Sequence, residues 1–168
     1  MPADDFVVTP WNVEGDIDYD KLIKRFGTQK ITPELLSKIE KFTSESHFML
    51  RRGIFFSHRD LNRLLDDYEK GKKFFLYTGR GPSGHTHIGH LVPWVFAKWL
   101  QDKFGVKMYF QLTDDEKFWA KKDMTLEKTS QFALENALDF IALGFKPENT
   151  KIIIDTKNIR TLYPIAAE

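Results

Sequence analysis

The sequence has 168 residues, 42% of them hydrophobic and 14% aromatic, which is enough to fill the core of one domain or of one domain and part of another. It has no cysteine, which excludes disulfide frameworks and thiolate metal sites, and its net charge of +1 argues against a free-standing nucleic-acid binder with a strongly basic surface. The start, MPADDFVV, does not resemble a secretory leader, and no apolar run approaches the ~18 residues of a membrane span, so we expect an intracellular protein.

Residues 1–70 are predicted to form a mainly helical N-terminal extension. Asp20 is the predicted cap of a short helix that ends at Gly27. Thr32 precedes a proline and begins a second helix, and a third helix begins near Asp60. Their predicted buried faces are Leu35, Leu36, Ile39 and Phe42 in the second helix, and Leu61, Leu64, Leu65 and Tyr68 in the third.

Residues 71–168 alternate between strand and helix patterns after a polar break, EKGKK, at 69–73. We predict strands at 74–77, 106–112 and 151–155, the first of them buried, and helices at 88–103 and 125–143. The predicted inward faces are Leu91, Val92, Val95, Phe96, Trp99 and Leu100 in the first helix, and Ala133, Leu134, Ala137, Leu138 and Ile141 in the second. This order predicts an α/β fold with a parallel sheet and right-handed crossovers, half of a doubly wound sheet.

The stretch YTGRGPSGHTHIGH at 77–90 contains a G-x-G-x-x-G pattern, which in dinucleotide-binding proteins requires an acidic residue at the end of the second strand. Asp102 has the spacing but falls in the predicted helix, so we do not expect a nicotinamide site. A phosphate-loop pattern fails as well, because His90 replaces its lysine.

A metal site would use His85, His87 and His90. No carboxylate lies nearby in the sequence, and His87 and His90 straddle a predicted helix start that is expected to splay them. We therefore expect no metal ligand here, and ordinary surface histidines are the plainer alternative.

The segment His87-Ile88-Gly89-His90 follows a parallel strand and opens a helix. The free N–H groups and positive dipole end of a helix N-terminus favour phosphate. Gly89 leaves room for a flat group such as adenine. Both imidazoles can donate hydrogen bonds to phosphate oxygens whose charge changes in a transition state.

Four segments, YTGRGPSG, HIGH, KWLQDKFGV and QLTDDEKFW, resemble the eukaryotic and archaeal type of tryptophanyl-tRNA synthetase, a class I aminoacyl-tRNA synthetase. RRGIFFSHRD, IDYDKLIKRFG and DFVVTPW extend the resemblance to about residues 5–155. It implies that 71–168 form the N-terminal half of a class I synthetase Rossmann fold, three parallel strands with crossover helices, after the extension of 1–70. The second half of that fold and the anticodon-binding domain are expected outside this chain.

The function that the resemblance implies is ATP-dependent activation of L-tryptophan to tryptophanyl-adenylate, assisted by Mg²⁺, and transfer to tRNA(Trp) by the full-length enzyme. A cytoplasmic homodimer without a membrane partner is expected, and the chain alone should be inactive or very weak. Two alternatives stay open: a tyrosyl-type class I synthetase, and a non-catalytic nucleotide-binding or interaction module.

The resemblance also implies roles for single residues. His87, His90 and Lys117 are the implied catalytic residues, and Arg80, Gly81, His87, Gly89 and His90 the implied ATP-binding residues. Tryptophan would be bound by Tyr77, Gly79, Gln111, Glu116 and Lys117. Tyr77 and Gln111 would recognise the indole N–H, which only donates and so needs an acceptor. Glu116 would bind the substrate ammonium and Lys117 its carboxylate or the phosphate.

Other interpretations remain for several of these positions. Tyr77 could be a core aromatic residue and Gln111 a strand-end cap. Asp114 and Asp115 could form a solvated turn or bind Mg²⁺, although we favour helix capping and support of the site. Trp11 and Val13 could belong to a hairpin that folds over the ATP site, or could simply fill the core.

Overall fold

The computed structural model describes residues 7–8, 13–15 and 18–168, and the chain folds as two compact units, Met1–Glu69 and Lys70–Glu168. Within the described residues, every helix is too short or too polar to cross a membrane.

The first unit is mainly helical, with two small antiparallel strand pairs. Strand β1 pairs with β2, and β3 pairs with β4. Its elements are β1 (Val7–Val8), β2 (Val13–Glu14), α1 (Tyr19–Phe26), β3 (Gln29–Lys30), α2 (Pro33–Thr43), α3 (Phe48–Arg51), β4 (Ser57–His58) and α4 (Leu61–Glu69). The short helix α3 was not predicted.

Local capping chemistry explains where the first helices begin and end. Asp18, and not Asp20 as predicted, caps α1: its Oδ1 accepts from the amides of Asp20 and Lys21 at 3.0 and 3.1 Å. The helix ends at Gly27, whose φ of 61° is the left-handed conformation that glycine adopts without strain. Thr32 caps α2 as predicted, accepting from the amide of Leu35.

The second unit is a three-stranded parallel sheet with helices between its strands, as predicted. The strand order is β5-β6-β7, so β6 is central. The elements are β5 (Phe75–Arg80), α5 (Ile88–Phe104), β6 (Lys107–Leu112), α6 (Asp114–Ala120), α7 (Leu126–Ala142), a short 3₁₀ helix (Pro147–Asn149), β7 (Thr150–Ile154) and α8 (Asp155–Ala167). Helices α6 and α8 were not predicted.

The core of this unit lies against one face of β6. Met108, Phe110 and Leu112 alternate along the strand and are fully buried. Phe110 stacks on Phe140 of α7 with ring centroids 3.8 Å apart. The same alternation places Gln111 on the opposite face of the sheet, where side chains are only partly covered.

The buried faces of α5 and α7 differ from the predicted ones. The α5 residues predicted to face inward are half-buried, while the buried ones are Trp94, Ala97, Gln101 and Phe104. On α7, Leu134, Leu138 and Ile141 are more than half exposed. Ala133 and Ala137 are buried as predicted, and the helix also buries Thr129, Asn136 and Phe140, because Phe140 anchors it on the sheet.

The prediction that the first strand is buried is also wrong. Phe75 and Tyr77 of β5 are 63% and 62% exposed. Both lie on the sheet face opposite the core, where the Phe75 ring meets that of the neighbouring Tyr109 edge-on. An apolar run alone therefore did not distinguish a buried strand from one with an open face.

Candidate functional site

Tyr77 and Gln111, from adjacent parallel strands, meet on the open face of the sheet. The Tyr77 hydroxyl donates to Oε1 of Gln111 at 2.5 Å, and Nε2 of Gln111 donates to Oδ1 of Asp155 at 2.7 Å. Tyr77 is thus not a core aromatic residue. The three side chains form a connected polar chain that begins at an exposed phenol and ends at a buried carboxylate.

Asp155 is the first residue of α8, directly after β7, and only 6% of it is exposed. Burial raises the pKa of its carboxyl group, and the hydrogen bond from Gln111 opposes that rise. The negative charges of Asp115 and Asp114 raise the pKa further. The strand-to-helix junction thus holds a carboxylate whose ionised form is costly to bury.

Gly79 keeps β5 and β6 close at this point. It pairs with Gln111 in the sheet register. A Cβ atom on residue 79 would lie 2.4 Å from the backbone oxygen of Gln111, a distance that requires one strand to move. Glycine is therefore required here by the close approach of two backbones.

His87 and His90 cap the N-terminus of α5 and lie side by side. Nδ1 of His87 accepts from the amide of Gly89, and Nδ1 of His90 accepts from the amide of His87, each at 3.2 Å. The ring centroids are 3.8 Å apart, so the expectation that the helix start splays the two rings is wrong. An imidazole that accepts at Nδ1 carries its proton on Nε2, so each ring has a donor available for a ligand.

The surroundings keep His90 neutral. Burial lowers its pKa, and the positive charge of Arg80, together with that of His87 whenever His87 is protonated, lowers it further. The hydrogen bond with the His87 backbone acts in the opposite direction. A neutral His90 is the form that caps the helix.

The side chain of His85 contacts α7. Its Nδ1 lies 3.3 Å from Oε2 of Glu135, and its ring meets Phe132 edge-on. The described part of the chain contains no group of three histidine or acidic side chains that could hold a metal ion.

The Arg80 side chain is hydrogen-bonded to the glycine-rich turn. Its guanidinium donates to the carbonyl oxygens of Gly84 and His85 and to the Thr86 hydroxyl, at 2.8 to 3.0 Å. Asn136 of α7, which is fully buried, also donates to the Gly84 carbonyl. Burial lowers the pKa of Arg80. The Arg80 guanidinium therefore braces the turn, and its implied role in ATP binding stays a prediction.

Lys117 of α6 lies against Gly81. A Cβ atom on residue 81 would come within 1.8 Å of Cε and 2.9 Å of Nζ of Lys117. Nζ pairs with Oε1 of Glu116 at 2.8 Å, and Thr113 donates to the other Glu116 oxygen. These hydrogen bonds, from Lys117 first and then Thr113, lower the pKa of Glu116.

Asp114 and Asp115 each accept a hydrogen bond from a backbone amide in the first turn of a helix, and their support of the site stays a prediction. Asp114 is fully buried and accepts from the Thr156 amide and hydroxyl at 3.1 and 2.6 Å, and from the Ser130 hydroxyl at 3.3 Å. It thereby holds α6, α7 and α8 together. Asp115 accepts from the Glu116 amide at 2.7 Å.

Gly89, expected to leave room for a flat ligand, has one close neighbour. A Cβ atom there would lie 3.1 Å from the ring of His87, which is the end of a side chain that can rotate. The space beside Gly89 is thus bounded by His87.

The first unit contains a separate cavity of about 570 Å³. Most of its lining side chains are apolar. Asp20 and Lys30 also line it and form an ion pair at 2.5 Å. No predicted site residue belongs to it. Trp11 lies outside the described residues, and Val13 is described only as a β2 residue that pairs with Val8.

Sequence reasoning missed two residues of this site, Asp155 and Asn136. Asp155 had a usable signal, since ligands of α/β proteins bind at the carboxyl ends of the strands and Asp155 follows one directly. Asn136 had none, because a polar residue inside a helix pattern does not reveal a partner 52 positions away.

Comparison with known families identifies one match. Residues 69–165 match the family described as tRNA synthetases class I (W and Y). The tryptophan–tRNA ligase of Sulfurisphaera tokodaii is 59% identical over 165 residues, which is 98% of this chain and 43% of that protein. That of Saccharolobus solfataricus is 55% identical over the whole chain and 44% of that protein. The chain thus spans less than half the length of these relatives.

Solved structures of tryptophanyl-tRNA synthetases are similar to this chain as well. The crystal structure of Plasmodium falciparum tryptophanyl-tRNA synthetase superposes with a TM-score of 0.85 at 48% identity, covering 88% of this chain and 41% of that one. The Encephalitozoon cuniculi tryptophanyl-tRNA synthetase bound to tryptophan gives 0.80 at 44% identity, covering 84% and 40%.

Proposed function

The chain belongs to the class I tRNA synthetases of the tryptophan and tyrosine group, and on that premise we propose that it supplies the ATP- and tryptophan-binding part of a tryptophan–tRNA ligase. The observation that carries the proposal is the hydrogen-bonded pair formed by Tyr77 and Gln111 on the open face of the sheet. The helix that follows Tyr77 in the chain, α5, begins with two capping histidines. We also propose that the unit Lys70–Glu168 is the first half of the catalytic domain and Met1–Glu69 an extension of it.

Recognition of tryptophan would depend on a hydrogen-bond acceptor. The indole N–H only donates, and Oε1 of Gln111 has a second lone pair after it accepts from Tyr77. The exposed phenol ring offers a surface for an aromatic ligand. Glu116 would accept from the ammonium group of the substrate, since its low pKa keeps it ionised.

Activation would join the tryptophan carboxylate to the α-phosphorus of ATP. A carboxylate oxygen attacks, the bond to the bridging oxygen breaks, and pyrophosphate leaves with that electron pair. His87 and His90 would donate from Nε2 to phosphate oxygens at the start of α5, and Lys117 would balance the negative charge. Gly81 leaves the space that Lys117 occupies. Catalysis would depend on position and charge, without a covalent intermediate on the protein.

The second reaction would transfer the tryptophanyl group. A hydroxyl of the 3′-terminal ribose of tRNA(Trp) attacks the adenylate carbonyl, and AMP leaves. The parts that bind the rest of the tRNA are expected in the additional length that the relatives have. We therefore expect this chain alone to have little or no activity.

Mg²⁺ is expected to accompany ATP. Among the described residues, no group of three acidic or histidine side chains has an arrangement that could hold a metal ion, and the oxygens of Asp114 already accept three hydrogen bonds. We therefore assign no residue to the ion. From the family we further expect a homodimer that works in the cytoplasm.

Amino-acid-dependent exchange of pyrophosphate into ATP tests the proposal in the full-length protein. Tryptophan should support exchange and tyrosine should not. Exchange supported by tyrosine in preference would indicate the tyrosyl type, and nucleotide binding without exchange would indicate a non-catalytic module.

A further inference from the structure

The orientation of the Gln111 amide decides what the site presents to a ligand. An amide has a donor end and an acceptor end of nearly the same shape, so its direction is set by its partners. If Oε1 faces Tyr77 and the ligand, the site accepts from an indole N–H. If the amide is reversed, the site presents N–H groups to an N–H group and rejects tryptophan.

Tyr77 does not determine this orientation. Its hydroxyl both donates and accepts, so it can pair with either end of the amide. The determinant must be a group that only donates or only accepts. Asp155 is such a group when ionised, and its Oδ1 lies 2.7 Å from Nε2 of Gln111.

We propose that Asp155 is a positioning residue for tryptophan: by accepting from Nε2 of Gln111, it holds Oε1 towards the ligand. The inference rests on the proposed function and deepens it, since it assigns amino-acid specificity to a residue outside the motifs that carry the family resemblance. Asp155 need not touch the substrate. It acts through Gln111, 44 positions earlier in the chain.

The location of Asp155 supports such a role. It begins α8 at the carboxyl end of β7. Two residues earlier, Ile153 of β7 pairs with Gln111 of β6 in the sheet. The junction is therefore held in place by the sheet. Burial of an ionised group next to Asp114 and Asp115 raises the pKa of Asp155. A carboxyl group with a raised folded-state pKa contributes stability at low pH that is lost as the pH rises through that pKa, so ionisation of Asp155 does not stabilise the fold.

Asp155→Asn tests the proposal in the full-length protein. Asparagine has nearly the same shape but can donate or accept, so it no longer selects one direction of the Gln111 amide. We expect the tryptophan KM to rise ~2- to 10-fold, because the apparent affinity falls in proportion to the fraction of molecules that keep Oε1 towards the ligand. The ATP KM should stay within ~2-fold of wild type, and the thermal midpoint should not fall. Asp123→Asn, at an exposed position between α6 and α7, controls for loss of one negative charge.

A double-mutant cycle separates positioning from a general structural effect. Once Gln111 is leucine, no amide remains to be oriented. Asp155→Asn in the Gln111→Leu background should therefore change the tryptophan KM by less than ~2-fold. If the asparagine variant does not fold, Asp155→Ser serves instead, because a hydroxyl also donates or accepts and is favoured at a helix start.

The outcomes are distinct. Absence of tryptophan-dependent exchange in the wild type overturns the proposed function itself. With an active wild type, an unchanged tryptophan KM in the folded Asp155 variant overturns only the positioning role. So does an equal rise in KM in the Gln111→Leu background.

Discussion

The side chain of Lys117 occupies the space that any side chain on residue 81 would need. A Cβ atom at Gly81 would lie 1.8 Å from Cε of Lys117, whereas at Gly84, three positions later, it would meet no atom within 4 Å. Glycine at position 81 therefore positions a lysine of α6, a relation that a glycine-rich motif does not reveal by itself.

Gly81→Ala should impair activity more than stability. The methyl group would displace the flexible end of Lys117, which costs little in the fold but removes the ammonium group from its position. We expect adenylate formation in the full-length protein to slow by an amount similar to that of Lys117→Ala, measured by pyrophosphate exchange. Gly84→Ala is the matched control and should behave as wild type. Full activity of Gly81→Ala would show that the position of Lys117 does not matter.

Gly79→Ala, unlike Gly81→Ala, should lower the stability of the fold. Its methyl group would lie 2.4 Å from the backbone oxygen of Gln111, and neither strand can yield as a side chain can. We expect the free energy of unfolding to fall by about 1–3 kcal/mol, the usual range for overpacking. Denaturant unfolding of both glycine variants measures it. A stability loss at Gly81 equal to that at Gly79 would contradict this distinction.

His90 combines a capping role and a proposed ligand role that can be separated. Asparagine can imitate the Nδ1 acceptor, and glutamine can imitate the Nε2 donor. His90→Asn should keep the stability but slow adenylate formation ~10²- to 10³-fold, as expected for loss of one transition-state donor. His90→Gln should keep more of the rate and lose stability. Tryptophan affinity should change little in either. Equal rates in the two variants would refute the role of Nε2.

Stability should depend on pH through His90. Its folded-state pKa is lowered by burial, Arg80 and His87, so the unfolded chain binds a proton more readily. The free energy of unfolding should therefore fall as the pH drops through about 6.5, the ordinary histidine value. His47, whose pKa is lowered by burial and by Arg51, acts in the same direction.

Urea unfolding at several pH values between 5 and 8 measures this dependence. His90→Asn should have a shallower slope than wild type, because the remaining slope comes from other groups. An unchanged slope would mean that His90 is not protonated more easily in the unfolded chain.

Features that depend on neighbouring residues could be predicted from the sequence. Gly27 and Gly105 end helices, Thr32 and Thr125 begin them, and each does so through contacts within a few positions. The parallel sheet followed from the alternation of strands and helices.

Features that depend on distant residues could not be predicted. Leu134 and Leu138 belong to an apolar stripe of α7, but Phe140, through its stacking on Phe110, decides which stripe is buried. In the site, Arg80 is part of the glycine-rich segment, but its carbonyl partners depend on the fold of that turn. Asp155, at the start of α8, accepts a hydrogen bond from Gln111 of β6, 44 positions earlier in the chain.

The central claim is that this chain recognises tryptophan through an acceptor held at Gln111, and Gln111→Leu in the full-length protein tests it most directly. The tryptophan KM should rise roughly 5- to 150-fold, since the indole N–H loses its partner, and the ATP KM should stay nearly unchanged. With 1-methyltryptophan, which has no N–H to donate, the wild type should already be poor and the variant little worse. Wild-type tryptophan affinity in Gln111→Leu would contradict the claim and leave Gln111 as a structural cap.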